Sequence, residues 1–246
     1  TGFDETVYTI MNAPVSREAI VDSCLLILHD WSNFLLLTDS MIEKERGVIR
    51  EEWRTGQNAQ ARLWEQQLPK MYPDSRYAYR MPIGSIDVIN NFKPEELRDY
   101  YRKWYRPDLQ ALIIVGDIDV DRVESKIKEM FSDIPAPANP AERIKFPVPD
   151  NIEPLISIAT DKEASNTILY LFYKHEKMPD EIYASISGLV FDYIQSVSAT
   201  MMNERFNELL HQANPPFIYA EASDGDYMIA RTKAAWTVAA LAKKGK

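Results

Sequence analysis

The amino-acid sequence predicts an α+β protein built from two similar units. Predicted strands and helices follow one another in an order that recurs in the second part of the chain, although residue identity between the two parts is too weak to define a sequence repeat. Between them, residues 134–151 contain five prolines, which prevent regular structure and favour an extended spacer. We therefore predict a first domain at 1–133, a proline-rich linker at 134–151 and a second domain at 152–246.

Three elements open the predicted first domain. Alternating apolar residues indicate a strand at 6–11, and apolar residues at helical spacing indicate a helix over 16–37 with Ser16 as its N-cap. A second, long helix is predicted over 39–67. It should end before Pro69, because proline removes a hydrogen bond from a helix interior.

Local start and stop signals define the rest of the first domain. Pro94, at a first-turn position, predicts a helix over 94–106. A continuous apolar run predicts a strand at 109–115. The dipeptide Gly116-Asp117 then turns the chain into a helix predicted over 120–131.

The predicted second domain contains four strands and a long helical region. The apolar runs that indicate strands are 155–160, 167–173, 217–222 and 228–241. The helical region covers 180–211, with a candidate break near Ser196.

Composition excludes several classes of function. Hydrophobic residues make up 46% of the chain, enough for a substantial core, and the formal net charge of −9 argues against nucleic-acid binding through phosphate contacts. The single cysteine, Cys24, excludes an internal disulfide. No apolar run reaches the length that a membrane-spanning helix requires.

Glu45 and Glu52 stand seven residues apart in the predicted long helix. At about 100° per residue, seven steps fall roughly 20° short of two turns, so both side chains leave the same face, about 10 Å apart along the axis. Val48, Ile49 and Trp53 make this neighbourhood apolar, where an inward-facing carboxylate would need a partner such as a metal ion. From spacing alone, a solvated surface is the more frequent explanation of such a charge run.

The other charged candidates receive no catalytic role. Arg46 and Arg54 can pair with neighbouring carboxylates, but a surface pair stabilises a protein by only about 0–1 kcal/mol. No His-x-x-Glu-His motif occurs in the sequence, and none of the three histidines has a second histidine at ligand spacing. His29 is predicted to lie on the surface or at the boundary of its helix. His175 and His211 are likewise predicted to be non-catalytic.

A series of short motifs, in order along nearly the whole chain, carries a family resemblance. The motifs are Phe3–Tyr8, Glu45–Arg54 (ERGVIREEWR), Ser75–Ala78, Pro82–Gly84, Lys103–Pro107, Ile113–Asp117, Thr160–Ala164 and Pro215–Phe217. They resemble the pitrilysin (insulinase) family of zinc metallopeptidases, of the inverzincin type. The resemblance implies two similar domains of the mitochondrial-processing-peptidase-like metallohydrolase fold, each a mixed sheet with helices packed on one face.

The resemblance also implies roles for the two glutamates. Family members bind zinc with an inverted His-x-x-Glu-His motif and a glutamate on a later helix. Glu52 falls where that distant zinc ligand lies, and Glu45 falls where a second acidic residue supports the site and influences catalysis. Two histidines and one carboxylate leave an open zinc position for the attacking water.

Because the family places the histidine motif upstream of the position of Thr1, we expect this sequence to be a fragment. Both of its domains would be truncated, the first lacking the zinc-motif segment. The fragment alone is expected neither to hold zinc with full affinity nor to cleave peptides.

Three functional hypotheses follow. In the first, the chain is part of a zinc metalloendopeptidase that acts on peptides or unfolded polypeptides, together with a second half from the same or a partner chain. In the second, it comes from a non-catalytic homologue that closes the peptide-binding chamber; the presence of both Glu45 and Glu52 favours the first. The third, weaker alternative is an unrelated α+β protein with a fortuitous acidic helix. The resemblance is nearest to the bacterial branch of the family, which favours a periplasmic or otherwise exported location.

Overall fold

The computed structural model describes residues 1–243 and confirms the α+β class. The helices are α1 (Glu18–Asn33), α2 (Asp39–Gly56), α3 (Ala59–Met71), α4 (Ile86–Asn91), α5 (Pro94–Trp104), α6 (Val120–Phe131), α7 (Asp180–Tyr183) and α8 (Ile186–Leu210). The strands are β1 (Ile168–His175), β2 (Phe217–Tyr227) and β3 (Ala230–Ala242). Two short 3-10 turns lie at Arg76–Ala78 and Pro107–Leu109.

The chain divides into two compact units. The first comprises Thr1, Glu5–Arg54 and Ile83–Ile144, and the second comprises Gly2–Asp4, Thr55–Pro82 and the chain from Lys145 onward. Helix α3 and the loop after it therefore group with the C-terminal part of the chain. The domains predicted at 1–133 and 152–246 stay a prediction.

Two helix boundaries differ from those predicted. Helix α1 begins at Glu18 with Arg17 in the N-cap position, so Ser16 does not cap it. The helix ends at Asn33 and does not reach Leu37, whose φ of 43° lies in the left-handed region that a right-handed helix cannot contain.

The prediction of a single long helix over 39–67 is also wrong, because two helices occupy this stretch. Helix α2 ends at Gly56, and α3 begins after Asn58, whose side chain accepts a hydrogen bond from the Ala61 N–H at 3.0 Å. Pro69 lies inside α3 instead of following it. The residue sits in the last turn, where only one helix hydrogen bond is lost, and its neighbours Leu68 and Met71 are buried in the core.

The described part of the first unit contains no strand, so the mixed sheet predicted there is not observed. Segments 6–11 and 109–115 have the sequence pattern of strands but no ladder partner among residues 1–243. Ile113 is 83% exposed and Val115 is 91% exposed. A strand requires a hydrogen-bonded neighbour, and an apolar pattern alone does not provide one. Segment 155–160 is likewise not a strand.

The second unit contains a three-stranded antiparallel sheet in the order β1-β3-β2, where a mixed sheet was predicted. Strands β2 and β3 form a hairpin, which makes their pairing antiparallel, and Met228 adopts a φ of 53° in its turn. The register pairs Phe172 with Thr237 and Ala222 with Val238.

Helix α8 is continuous through Ser196, so the break predicted there is wrong. The interruption lies earlier, between α7 and α8, where the Ser185 hydroxyl caps α8 by accepting a hydrogen bond from the Gly188 N–H. Helix α8 packs on β2, and the Asn203 side chain both donates to the Ala222 carbonyl and accepts from the Ala222 N–H.

Each unit has its own core. In the first unit, α1, α2, α4, α5 and α6 each bury one apolar side chain almost fully: Leu25, Ile42, Ile89, Tyr101 and Val123. The second unit buries an aromatic cluster that joins the end of α3 to the sheet through Tyr72, Tyr77, Tyr227 and Phe172. Burial raises the pKa of Tyr72, so its hydroxyl stays protonated and donates to the Tyr227 carbonyl at 2.8 Å.

His29 lies in the interior of the first unit, which corrects its predicted surface or boundary position. The residue is 8% exposed, and its ring stacks on Phe34 at a centroid distance of 4.5 Å. Its Nε2 lies 2.9 Å from an Asp133 carboxylate oxygen and its Nδ1 lies 3.2 Å from an Asp30 carboxylate oxygen. Because carboxylates are acceptors, both ring nitrogens donate when the imidazole is doubly protonated.

We expect the contribution of His29 to stability to decrease as the pH rises. Burial lowers the pKa of His29, but its hydrogen bonds to Asp133 and Asp30 and their charges outweigh burial, so the pKa is raised overall. A raised pKa makes the contribution complete below the unfolded value of about 6.5 and removes it as the pH passes the higher folded value. The difference in unfolding free energy between the wild type and His29→Gln, measured in urea, should therefore narrow from pH 6 to pH 9, while the part due to ring packing on Phe34 remains.

The control for this measurement is His211→Gln. His211 is exposed, and its Nδ1 lies 2.7 Å from the Asn207 carbonyl oxygen one helical turn earlier. A difference between the wild type and His29→Gln that stays constant across this pH range would contradict the charged hydrogen bonds.

Candidate functional site

Helix α2 carries both predicted site residues on its exposed side. Glu45 and Glu52 are exposed, and they lie in one row with Met41 and Val48, which are 59% and 54% exposed. The buried and half-buried side chains of α2 form a separate row at Ile42, Arg46, Ile49 and Trp53. The structure thus places the two glutamates together, about 20° apart around the helix, and turns them away from the core of the first unit.

Arg46 attaches α2 to the segment that contains α4. The residue is 8% exposed, and its guanidinium lies 3.9 Å from the ring centroid of Phe92. Its Nη1 donates to the Ile89 carbonyl, and its Nη2 donates to the Phe92 carbonyl at 2.8 Å. The same guanidinium makes two hydrogen bonds to the Glu43 carboxylate, at 2.9 and 2.7 Å.

Sequence reasoning missed this arrangement, because it expected Arg46 to pair with a neighbouring carboxylate at the surface. The carbonyls that Arg46 reaches lie more than forty residues further along the chain. Arg54 forms a surface ion pair as predicted, because its side chain and that of its partner Glu51 are both exposed. An arginine among the apolar residues of a helical row is the one available sequence signal for such a contact.

Two of the other carboxylates on α2 are engaged by arginines. A hydrogen bond from Arg46 lowers the pKa of Glu43, and a hydrogen bond from Arg54 lowers the pKa of Glu51. Both therefore stay ionised and paired at neutral pH.

The described residues do not form a complete zinc site. Within residues 1–243, no three His, Cys, Asp or Glu side chains lie close enough together to hold a metal ion. The histidines are engaged elsewhere: His29 contacts Asp133, the Nε2 of His175 lies 2.8 Å from Asp224, and His211 contacts Asn207. A zinc site needs three or four protein ligands, so residues 1–243 do not supply a complete set by themselves. In the same part of the chain, no helix is long and apolar enough to span a membrane.

Comparisons with known proteins agree with the sequence motifs. The family model described as the peptidase M16 inactive domain matches residues 91–210. A zinc protease PQQL-like protein of Arabidopsis thaliana is 29% identical over 234 residues, which is 95% of this chain and 24% of that protein. A probable zinc protease PqqL of Escherichia coli K12 is 30% identical over 212 residues, which is 86% of this chain and 22% of that protein.

A solved structure shows the same fold. The first half of the periplasmic protease PqqL from Escherichia coli matches with a TM-score of 0.80 and 26% identity, over 94% of this chain and 48% of that structure. The chain spans about a quarter of the length of the two curated relatives. Its sequence and fold identify it as a homologue of PqqL and of the pitrilysin-family (peptidase M16) zinc proteases.

Proposed function

We propose that this chain is part of a zinc metalloendopeptidase, to which it contributes Glu52 as a metal ligand and Glu45 as a supporting carboxylate. The observation that carries the proposal is the exposed row on α2. In a homologue of zinc proteases, both glutamates project from one face of this helix, away from the core of their own unit. Neither Glu45 nor Glu52 packs into that core.

The remaining metal ligands must come from residues outside 1–243. The motif expected to supply two histidines is His-x-x-Glu-His, and it is absent from this sequence. Peptides or unfolded polypeptides are the proposed substrates, bound with the help of a second half from the same or a partner chain. Because the similar PqqL structure is that of a periplasmic protease, we propose an exported location.

One observation favours a second candidate function, a non-catalytic half that helps to enclose the substrate. The matching family model is described as an inactive domain. That match covers residues 91–210, and Glu45 and Glu52 lie outside it. The description therefore does not bear on the helix that carries the enzymatic proposal.

Zinc content and peptide hydrolysis, measured on a polypeptide that carries this sequence and continues upstream of Thr1, distinguish the two functions. The enzymatic proposal expects about one zinc per chain, because a single site of two histidines and one glutamate is assembled. Cleavage of an unfolded polypeptide should stop on chelation and return when zinc is restored. A folded protein without zinc would instead support the non-catalytic half, and its binding of peptides would then be measured.

A further inference from the structure

We infer that Arg46 is a positioning residue that fixes the rotation of α2 about its axis, and through it the direction of Glu52 and Glu45. The inference rests on the proposed function, because it assigns Arg46 a role toward the same site. It concerns only contacts within the first unit, where α2, α4 and Phe92 lie.

The geometry of the guanidinium makes it suitable for this role. A guanidinium is planar and offers five N–H donors in fixed directions. In Arg46, four donated bonds reach three separate acceptor groups: the Glu43 carboxylate, the Ile89 carbonyl and the Phe92 carbonyl. The Phe92 ring covers one face of the same plane at 3.9 Å. Rotating α2 would break the bonds to the Ile89 and Phe92 carbonyls and the contact with the Phe92 ring together, whereas Glu43 lies on α2 and would turn with Arg46.

The rotation of α2 that Arg46 fixes determines the directions in which Glu45 and Glu52 point. At about 100° per residue, Glu45 lies roughly 100° from Arg46 around the axis, and Glu52 lies roughly 120° from it in the same direction. Because all three residues lie on one helix, both carboxylates are displaced in the same sense when α2 turns about its axis. A carboxylate about 6 Å from the axis moves by about 1 Å for each 10° of helix rotation.

A displacement of this size matters for a metal or catalytic group. A misplacement of about 1 Å can lower activity by about 100-fold, and loss of a group that orients a metal ligand typically lowers metal affinity or activity about 10- to 100-fold. Stability alone gives a weaker account of the charged pair, because the Glu43 side chain is 53% exposed and solvent-exposed ion pairs contribute little to stability.

The matched comparison is the Arg54–Glu51 pair. It lies on the same helix with the same three-residue spacing, but its side chains are 68% and 59% exposed. The Arg54 guanidinium donates three hydrogen bonds to the Glu51 carboxylate, which lies on α2 itself. Equivalent substitutions at residues 46 and 54 therefore separate the loss of an arginine–glutamate pair from the loss of the anchor.

The test measures cobalt(II) affinity and the visible absorption of the bound cobalt in the longer polypeptide that continues upstream of Thr1. The variants are Arg46→Met, Arg46→Lys, Arg54→Met and Glu52→Gln, each corrected for its folded fraction by circular dichroism. We expect Arg46→Met to lower the affinity about 10- to 100-fold and to change the spectrum at saturation. Arg46→Lys should have a smaller effect in the same direction, and Arg54→Met should match the wild type.

The outcomes separate this inference from the proposed function. Wild-type affinity and spectrum in Arg46→Met, with metal lost in Glu52→Gln, would overturn the positioning role and leave the proposed function standing. Wild-type affinity in Glu52→Gln would overturn both. A purely structural role would lower only the folded fraction, leaving the affinity and spectrum of the folded molecules unchanged. If Arg46→Met does not fold, Arg46→Lys decides, because it keeps the charge and the aliphatic stem but lacks the planar fork.

Discussion

Under the proposed function, Glu52→Gln is expected to abolish stoichiometric zinc binding by a polypeptide that contains this chain and the proposed upstream histidine motif. The substitution replaces a charged carboxylate by a neutral amide of the same shape, so the metal loses an anionic ligand. Substituting a residue that only supports a metal ligand typically lowers metal affinity about 10- to 100-fold, and removing the ligand itself should lower it at least as much. The measurement is zinc per chain by elemental analysis after dialysis against a zinc buffer.

Glu45→Gln is the matched control, because Glu45 lies on the same exposed face of the same helix. It should keep most of the zinc while turnover falls about 10- to 100-fold, as expected for a group beside the ligands. Equal zinc content in the wild type and Glu52→Gln would rule out Glu52 as a ligand. Loss of zinc in Glu45→Gln with retention in Glu52→Gln would exchange the two roles.

The sequence predicted the elements whose ends are fixed by local chemistry. Helix α6 runs from Val120 to Phe131 as predicted, because the Asp119 side chain caps it by accepting a hydrogen bond from the Arg122 N–H. Helix α5 begins at Pro94, as its first-turn proline indicated. These signals require only a few neighbouring residues, so they can be read directly from the sequence.

Features that depend on distant residues could not be predicted in the same way. The position of Arg46 in the apolar row of α2 signals a contact, but it does not identify the acceptors, which are the carbonyls of Ile89 and Phe92. The helix break is a different case, because Gly56 and the cap residue Asn58 are local signals that the prediction of one helix over 39–67 overlooked. The strands predicted at 6–11 and 109–115 depend on pairing partners, which residues 1–243 do not supply.

The total exposed surface area also shows that an apolar sequence pattern does not by itself establish which residues are buried. The chain exposes 17797 Å² of accessible surface. Two separate folded domains of half its mass would together expose about 13,500 Å². Apolar residues that a pattern assigns to a core, such as Val115 at 91% exposed and Ile158 at 87% exposed, therefore lack a covering layer among the described residues. The apolar pattern identified which residues are suited to burial, but burial also needs a second surface.

Tyr72→Ala is expected to destabilise the second unit by about 3–5 kcal/mol, the range for removing a large buried aromatic side chain. Tyr72 is 0% exposed and lies against Tyr77 and Tyr227. Its hydroxyl donates to the Tyr227 carbonyl and accepts a hydrogen bond from the Ile229 N–H, so it joins the end of α3 to the turn between β2 and β3. The measurement is urea unfolding followed by near-ultraviolet circular dichroism.

Tyr72→Phe separates the contribution of the Tyr72 hydroxyl from that of its ring, and Tyr79→Ala is the control at an exposed tyrosine. Tyr72→Phe keeps the ring but leaves a buried carbonyl and a partly buried N–H without their partner, which should cost about 1–3 kcal/mol. Tyr79 is 73% exposed, and Tyr79→Ala should change stability by no more than about 0.5 kcal/mol. Since Tyr72 lies in the segment 55–82 that groups with the C-terminal part of the chain, the series also tests that grouping. If Tyr72→Ala unfolds at the wild-type urea concentration, α3 does not share a core with the sheet, and segment 55–82 belongs with the first domain predicted at 1–133.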